Sequence, residues 1–82
     1  NPYPNPFNPV TVIDYTIEHD VNDLRIKIYD ITGRLVENLY QGNQTYGHHK
    51  IRWNASQYSS GIYFIKMDTH HHTFTKKIIL LK

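Results

Sequence analysis

The chain has 82 residues, no cysteine, and a formal net charge of +2 from nine Lys+Arg against seven Asp+Glu. That length is room for one domain, which buries about 60–65% of the surface its unfolded chain exposes, so the core cannot spare a deep catalytic cleft. The mixed charge lacks the basic stripe of a nucleic-acid binder, and no apolar run approaches the roughly 20 residues of a membrane-spanning helix. Without cysteine, no disulfide or thiolate site supports the fold, and packing must carry it.

Asn1 to Pro9 read NPYPNPFNP and hold all four prolines of the chain. Each proline fixes its own φ and pushes the preceding residue toward extended backbone, so the segment is expected to be polyproline-like. Tyr3 and Phe7 are large and apolar, which a plain linker does not need. The expectation is a stiff lead-in over residues 1–9 that docks its aromatics on a β-sandwich over residues 10–82. A proline-rich start with no secretory signal also suggests a segment cut from a longer precursor.

After Pro9 the apolar period is two. Ile13, Tyr15 and Ile17 share one face of a strand over Thr11–Ile17, with Asp14 and Thr16 on the other. Leu24, Ile26 and Ile28 alternate with Arg25 and Lys27, the signature of a half-buried strand. A third strand is expected over Leu35–Tyr40. Between these two, Asp30-Ile31-Thr32-Gly33 fits a type I turn followed by a glycine bulge, with Gly33 at positive φ. Gln41 to Gly47 reads as a loop. His49, Ile51 and Trp53 then alternate with Lys50 and Arg52 to give a fourth strand, with Trp53 facing the core. Asn54 to Gly61 is polar and turn-like. Ile62–Met67 is apolar on both faces for most of its length, which predicts a central strand. Asp68 to Thr73 reads as a hairpin tip, and Phe74–Leu81 closes the chain as a last strand. No window keeps a 3.6-residue period for the ~10 residues a helix needs. Six strands with turns every 8–12 residues predict an all-β, immunoglobulin-like antiparallel sandwich; a seventh is expected from the proline-rich start or from Gln41–Gly47.

Five strings now stand in order along the chain: PNPFNP at Pro4–Pro9, IYDITGRLV at Ile28–Val36, WNA at Trp53–Ala55, SSGIYFIKM at Ser59–Met67 and TKKIILLK at Thr75–Lys82. Together they resemble the C-terminal sorting domain, type A, of proteins exported by the type IX secretion system. The resemblance implies an immunoglobulin-like domain at the C-terminus of a larger cargo protein, read by the outer-membrane export machinery. It also implies passage through the periplasm to the cell surface or beyond, and removal by a sortase-like peptidase at or before Pro4-Asn5-Pro6. Carried over residue by residue, the family pattern marks Gly33 in its hairpin, Gly61 and Tyr63 in its G-x-Y strand, and Lys76 or Lys77, with Lys82, in its final strand. His70-His71-His72 depart from the pattern, which has Gly or Asn at this tip. A second, weaker resemblance is to the immunoglobulin-like domain of flagellar hook-capping proteins, which shares the G-x-x-V hairpin and the G-x-Y strand but lacks the PNPFNP lead-in.

Other chemistry is poorly supported. His48, His49, His70, His71 and His72 invite a metal, but zinc needs three or four converging ligands and nothing in the spacing brings the two groups together. Ser56, Ser59 and Ser60 share a loop without a G-x-S-x-G nucleophile elbow. Asp14, Glu18, Asp20, Asp23, Asp30, Glu37 and Asp68 are scattered singly at strand ends and turns, where capping and solvation occupy them. Tyr63 suits core packing or a tyrosine-corner hydroxyl tied to backbone better than sugar stacking. Tyr29 and Tyr40, expected opposite the core faces of their strands, are better candidates for an exposed surface. Lys76 and Lys77 face opposite ways on a strand whose lysines suit an edge, and that edge offers backbone for strand addition to a receptor. The expectation is a monomeric, non-catalytic sorting module without metal or cofactor. Its partners would be export-machinery proteins and the N-terminal cargo domains of its own chain. The alternatives are a carbohydrate-binding accessory module and a structural hook-cap-type domain.

Overall fold

Alternation of apolar and polar side chains sets two faces on each strand, and the strands pair so that the apolar faces meet. The computed structural model describes residues 10–81. It contains β1 (Val10–Ile17), β2 (Val21–Asp30), β3 (Leu35–Gln44), β4 (Gly47–Asn54), β5 (Gly61–Asp68) and β6 (Thr73–Leu80), and no helix among the described residues. A two-stranded sheet, β1-β4, packs on a four-stranded sheet ordered β3-β2-β5-β6. Every neighbouring pair is antiparallel. The order matches immunoglobulin strands C′-C-F-G on one side and B-E on the other, so the immunoglobulin-like sandwich is established by topology as well as by strand content.

The core follows the expected faces. Ile13, Tyr15 and Ile17 from β1 meet Leu24, Ile26 and Ile28 from β2, with Trp53, Ala55, Tyr63, Ile65 and Leu80 completing the cluster. Leu24, Ile26, Ile28 and Trp53 are essentially fully buried, and each such aliphatic side chain contributes about 1.5–3 kcal/mol by leaving water. β5 lies between β2 and β6, the central place its apolar sequence predicts. β6 lies at the sheet edge.

The expected loop over Gln41–Gly47 is corrected. β3 continues to Gln44 and β4 starts at Gly47, leaving only Thr45 and Tyr46 between them. Leu24 pairs with Gly42 and Val21 with Gln44, so sheet pairing overrides the low strand propensity of Gly and Asn. Those residues therefore lengthen the third strand, and no seventh strand exists among the described residues. The other proposed source, the proline-rich start, lies outside them.

Tyr40 is corrected as well. β3 is not strictly period-2, because register shifts fall between Ile26 and Lys27 and between Ile28 and Tyr29. Each shift inserts an extra β3 residue, and the bulges bring both Glu37 and Tyr40 opposite core positions Ile28 and Ile26. Tyr40 thus packs against the core. Tyr58, in the stretch read as polar and turn-like, also packs there.

Candidate recognition surface

Two parts of the large sheet stand out: its β6 edge, which no other strand pairs among the described residues, and its outer face. Register decides which side chains share that face. Arg25 pairs with Asp68, Lys27 with Lys66 and Tyr29 with Phe64 across β2 and β5. Thr75 and Lys77 lie beside Lys66 and Phe64 on β6, and Ile79 beside Ile62. The intervening residues Leu24, Ile26, Ile28 and Ile65 point into the core, which sends this set outward.

Tyr29, Ile31, Phe64, Lys66 and Thr75 line a shallow concavity of about 290 Å³, closed at one end by the Asp30–Gly33 turn. The Lys66 ammonium lies 6.0 Å from the centre of the Tyr29 ring, at the outer limit of a cation–π contact. It also lies 4.0 Å from Asp68 Oδ2, and Asp68 accepts a hydrogen bond from the Thr73 hydroxyl at 2.7 Å. Arg25 is paired with Asp23 at 3.7 Å. Neither Lys27 nor Lys77 has an ion-pair partner among the described residues.

The turn at the end of this concavity is built by Asp30. Its Oδ1 accepts hydrogen bonds from the Thr32 backbone N–H, the Thr32 hydroxyl and the Arg34 N–H at 2.9, 2.6 and 3.0 Å. The Gly33 N–H donates to the Asp30 carbonyl, and Gly33 has φ 89°, where a side chain is disfavoured. The Thr32 hydroxyl, followed by the Arg34 N–H, holds the Asp30 carboxyl below the ordinary carboxylate range. The expected turn is therefore present, and its carboxylate is engaged by its own backbone.

The positions marked by the family pattern fall into three groups. Pro4, Asn5, Pro6 and Lys82 lie outside the described residues. Gly33, Gly61 and Tyr63 gather at one end of the sandwich, because Asp30 pairs with Tyr63 and Gly61 opens β5. Lys76 and Lys77 sit mid-strand on β6 beside Ile65 and Phe64, so they do face opposite ways, and both are exposed. Tyr63 is buried, and its hydroxyl donates to the Ser59 carbonyl at 2.7 Å, the tyrosine-corner role. Its ring meets Trp53 edge-on at 5.3 Å. Trp53 Nε1–H and the Tyr58 hydroxyl both donate to Glu37 Oε1 at 3.2 Å. Burial first, and then the neighbouring Glu37 carboxylate, raise the Tyr58 pKa above the usual tyrosine value. Sequence reading missed this cluster, because Glu37 is turned toward it by a bulge that pairing creates.

The histidines do not converge. His48 contacts the Thr16 hydroxyl at 3.0 Å, while His49 contacts the Thr45 carbonyl at 2.8 Å and stacks on Tyr15. His70 lies 3.6 Å from Asp23. Among the described residues no group of three or more His, Asp or Glu side chains is arranged to hold a metal. The histidine tip closes without a left-handed residue. The Thr69 hydroxyl accepts from the N–H groups of His71 and His72, and the Thr69 N–H donates to the His72 carbonyl.

The sequence pattern of a family described as a secretion system C-terminal sorting domain matches residues 1–81. No curated protein and no solved structure gave a match.

Proposed function

Since the chain belongs to the type IX secretion system C-terminal sorting domain family, we propose that it is the sorting module of a larger exported protein, recognised as a folded domain with the β6 edge as its contact strand. Membership carries the coarse function: interaction with the type IX export machinery, a cargo chain, and export through the outer membrane. The observation that supports the finer reading is the position of β6. Among the described residues it is the edge strand of the four-stranded sheet, with Lys76 and Lys77 exposed on its two faces. An edge strand leaves backbone N–H and C=O groups free for strand addition, and its lysines discourage pairing with unintended strands. The remaining details belong to the same proposal: a lead-in over residues 1–9 joins the cargo to the sandwich, transit is periplasmic, and a sortase-like peptidase cuts at or before Pro4-Asn5-Pro6. Gly33, Gly61 and Tyr63 serve by holding the folded shape.

The test is a fusion of residues 1–82 to a periplasmic reporter in a bacterium with this secretion system. The fusion is expected in the medium or on the cell surface. A triple variant Lys76→Glu, Lys77→Glu, Lys82→Glu should stay in the periplasm with an unchanged circular dichroism spectrum. Export of the variant at the parent's level would remove the β6 contact from the proposal. Retention of the parent itself would remove the sorting reading.

A further inference from the structure

Lys27 and Lys66 stand directly opposite each other on neighbouring antiparallel strands. Like charges in that relation destabilise a sheet, and Lys27 has no ion-pair partner among the described residues. Both are half-buried, so their repulsion is less screened than between fully exposed lysines. Asp68 approaches only Lys66, at 4.0 Å, and is shared with Thr73. Asp30, the other acid at the concavity, spends one carboxylate oxygen on its own turn. Immediately beside the lysines is the concavity walled by Tyr29, Ile31 and Phe64. A positive pair that costs stability, set against an apolar hollow, fits a ligand that brings both carboxylates and a hydrophobic anchor.

From this we infer that the outer face of the β3-β2-β5-β6 sheet is a docking site for an acidic polypeptide segment, whose aromatic or aliphatic side chain enters the Tyr29–Phe64 concavity while flanking carboxylates meet Lys27 and Lys66. Charge complementarity sets the sign of the partner, and the hollow sets its class. The walls offer ring faces and aliphatic carbon but few hydrogen-bonding groups, which suits an apolar side chain better than the hydroxyls of a sugar. The inference deepens the sorting reading, on which it rests only for the origin of the partner in the export machinery. It concerns the outer side-chain face of the sheet, to which β6 contributes Thr75 and Lys77, and not the backbone edge of β6.

One substitution separates recognition from structure. Lys66→Glu makes the pair with Lys27 attractive but gives up the 4.0 Å approach to Asp68, so Tm should stay within a few degrees of the parent. The same change should weaken acidic-peptide binding by about tenfold or more. The binding probe is a synthetic glutamate-rich peptide with one tryptophan, titrated into the 82-residue domain by NMR. Expected are shifts at Tyr29, Phe64, Lys66 and Thr75, an affinity that falls as salt rises, and loss of both in Lys66→Glu and in Lys27→Thr/Lys66→Thr. Equal binding by Lys66→Glu, or binding of an oligogalacturonate in preference to the peptide, would overturn the inference. In the reporter fusion, export of the parent with retention of the stable Lys66→Glu variant is expected. Export of both would overturn the inference and leave the sorting reading standing, whereas retention of the parent would strike the sorting reading alone while the titration still judges the docking face.

Discussion

Tyr63→Phe removes one oxygen and keeps the ring that packs on Trp53. The Ser59 carbonyl then loses its 2.7 Å donor, and the expected cost is about 1 kcal/mol in urea unfolding with no change of fold. Trp53→Ala is a different kind of loss. It empties a fully buried site and strips a donor from Glu37, at about 3–5 kcal/mol. A domain of this size holds roughly 4–12 kcal/mol in all, so this variant should be marginal or unfolded by circular dichroism at room temperature. Gly33→Ala isolates backbone strain, because a Cβ there would meet nothing within 4 Å while φ is +89°. About 1–2 kcal/mol is expected, again from urea midpoints. Trp53 is legible in the sequence as a core residue because it alternates with Lys50 and Arg52 on the phase of Ile51, and Tyr63 because its strand is apolar and a tyrosine-corner role suits it. Glu37 and Tyr58 are not, because their burial depends on a bulge and a loop that only the packed sheets define.

At the scale of elements, the β2–β3 hairpin was the most readable part of the chain, and for a local reason. Asp30, Thr32 and Gly33 make the turn with groups no more than four residues apart, so the string D-I-T-G carries nearly all the information. The turn also ties stability to pH. The folded Asp30 carboxyl lies below its ordinary value of 3.8 because the Thr32 hydroxyl and the Arg34 N–H hold the charged form. A depressed folded pKa means that the stabilisation is present above 3.8 and is lost as pH falls through the folded value. Asp30→Asn should therefore be less stable than the parent at neutral pH, and the difference should shrink in acid well below 3.8. Paired urea titrations at the two pH values check the sign, and a gap that does not shrink would count against the turn as a charge-stabilised element. β3 shows the opposite case. Its shifts against β2 arise from long-range pairing, and no property of Leu35–Tyr40 by itself marks where a bulge falls.

The whole molecule is asymmetric, and alternation along single strands does not disclose it. Among the described residues four strands form one sheet and two the other, so the smaller sheet does not cover the full width of the larger. The consequence appears on β6. Phe74, Lys76, Ile78 and Leu80 share the core-facing side, beside Met67, Ile65, Tyr63 and Gly61. Leu80 is 4% exposed, yet Phe74 is 69% exposed. A reader of FTKKIILL has no reason to separate the two ends of that stripe, because the difference lies in what the opposite sheet reaches. It also explains how Lys76 occupies a core-facing phase without burying a charge, which would be costly unless paired. The two ends should respond differently to substitution. Leu80→Ala should cost about 2–4 kcal/mol through lost burial and a residual cavity. Phe74→Ser should stay within about 0.5 kcal/mol of the parent, as a surface change does. Urea unfolding of both variants decides the point. Comparable losses would mean that the Phe74 end of β6 is sheltered in solution, and the sandwich would then be wider than its two-stranded sheet allows.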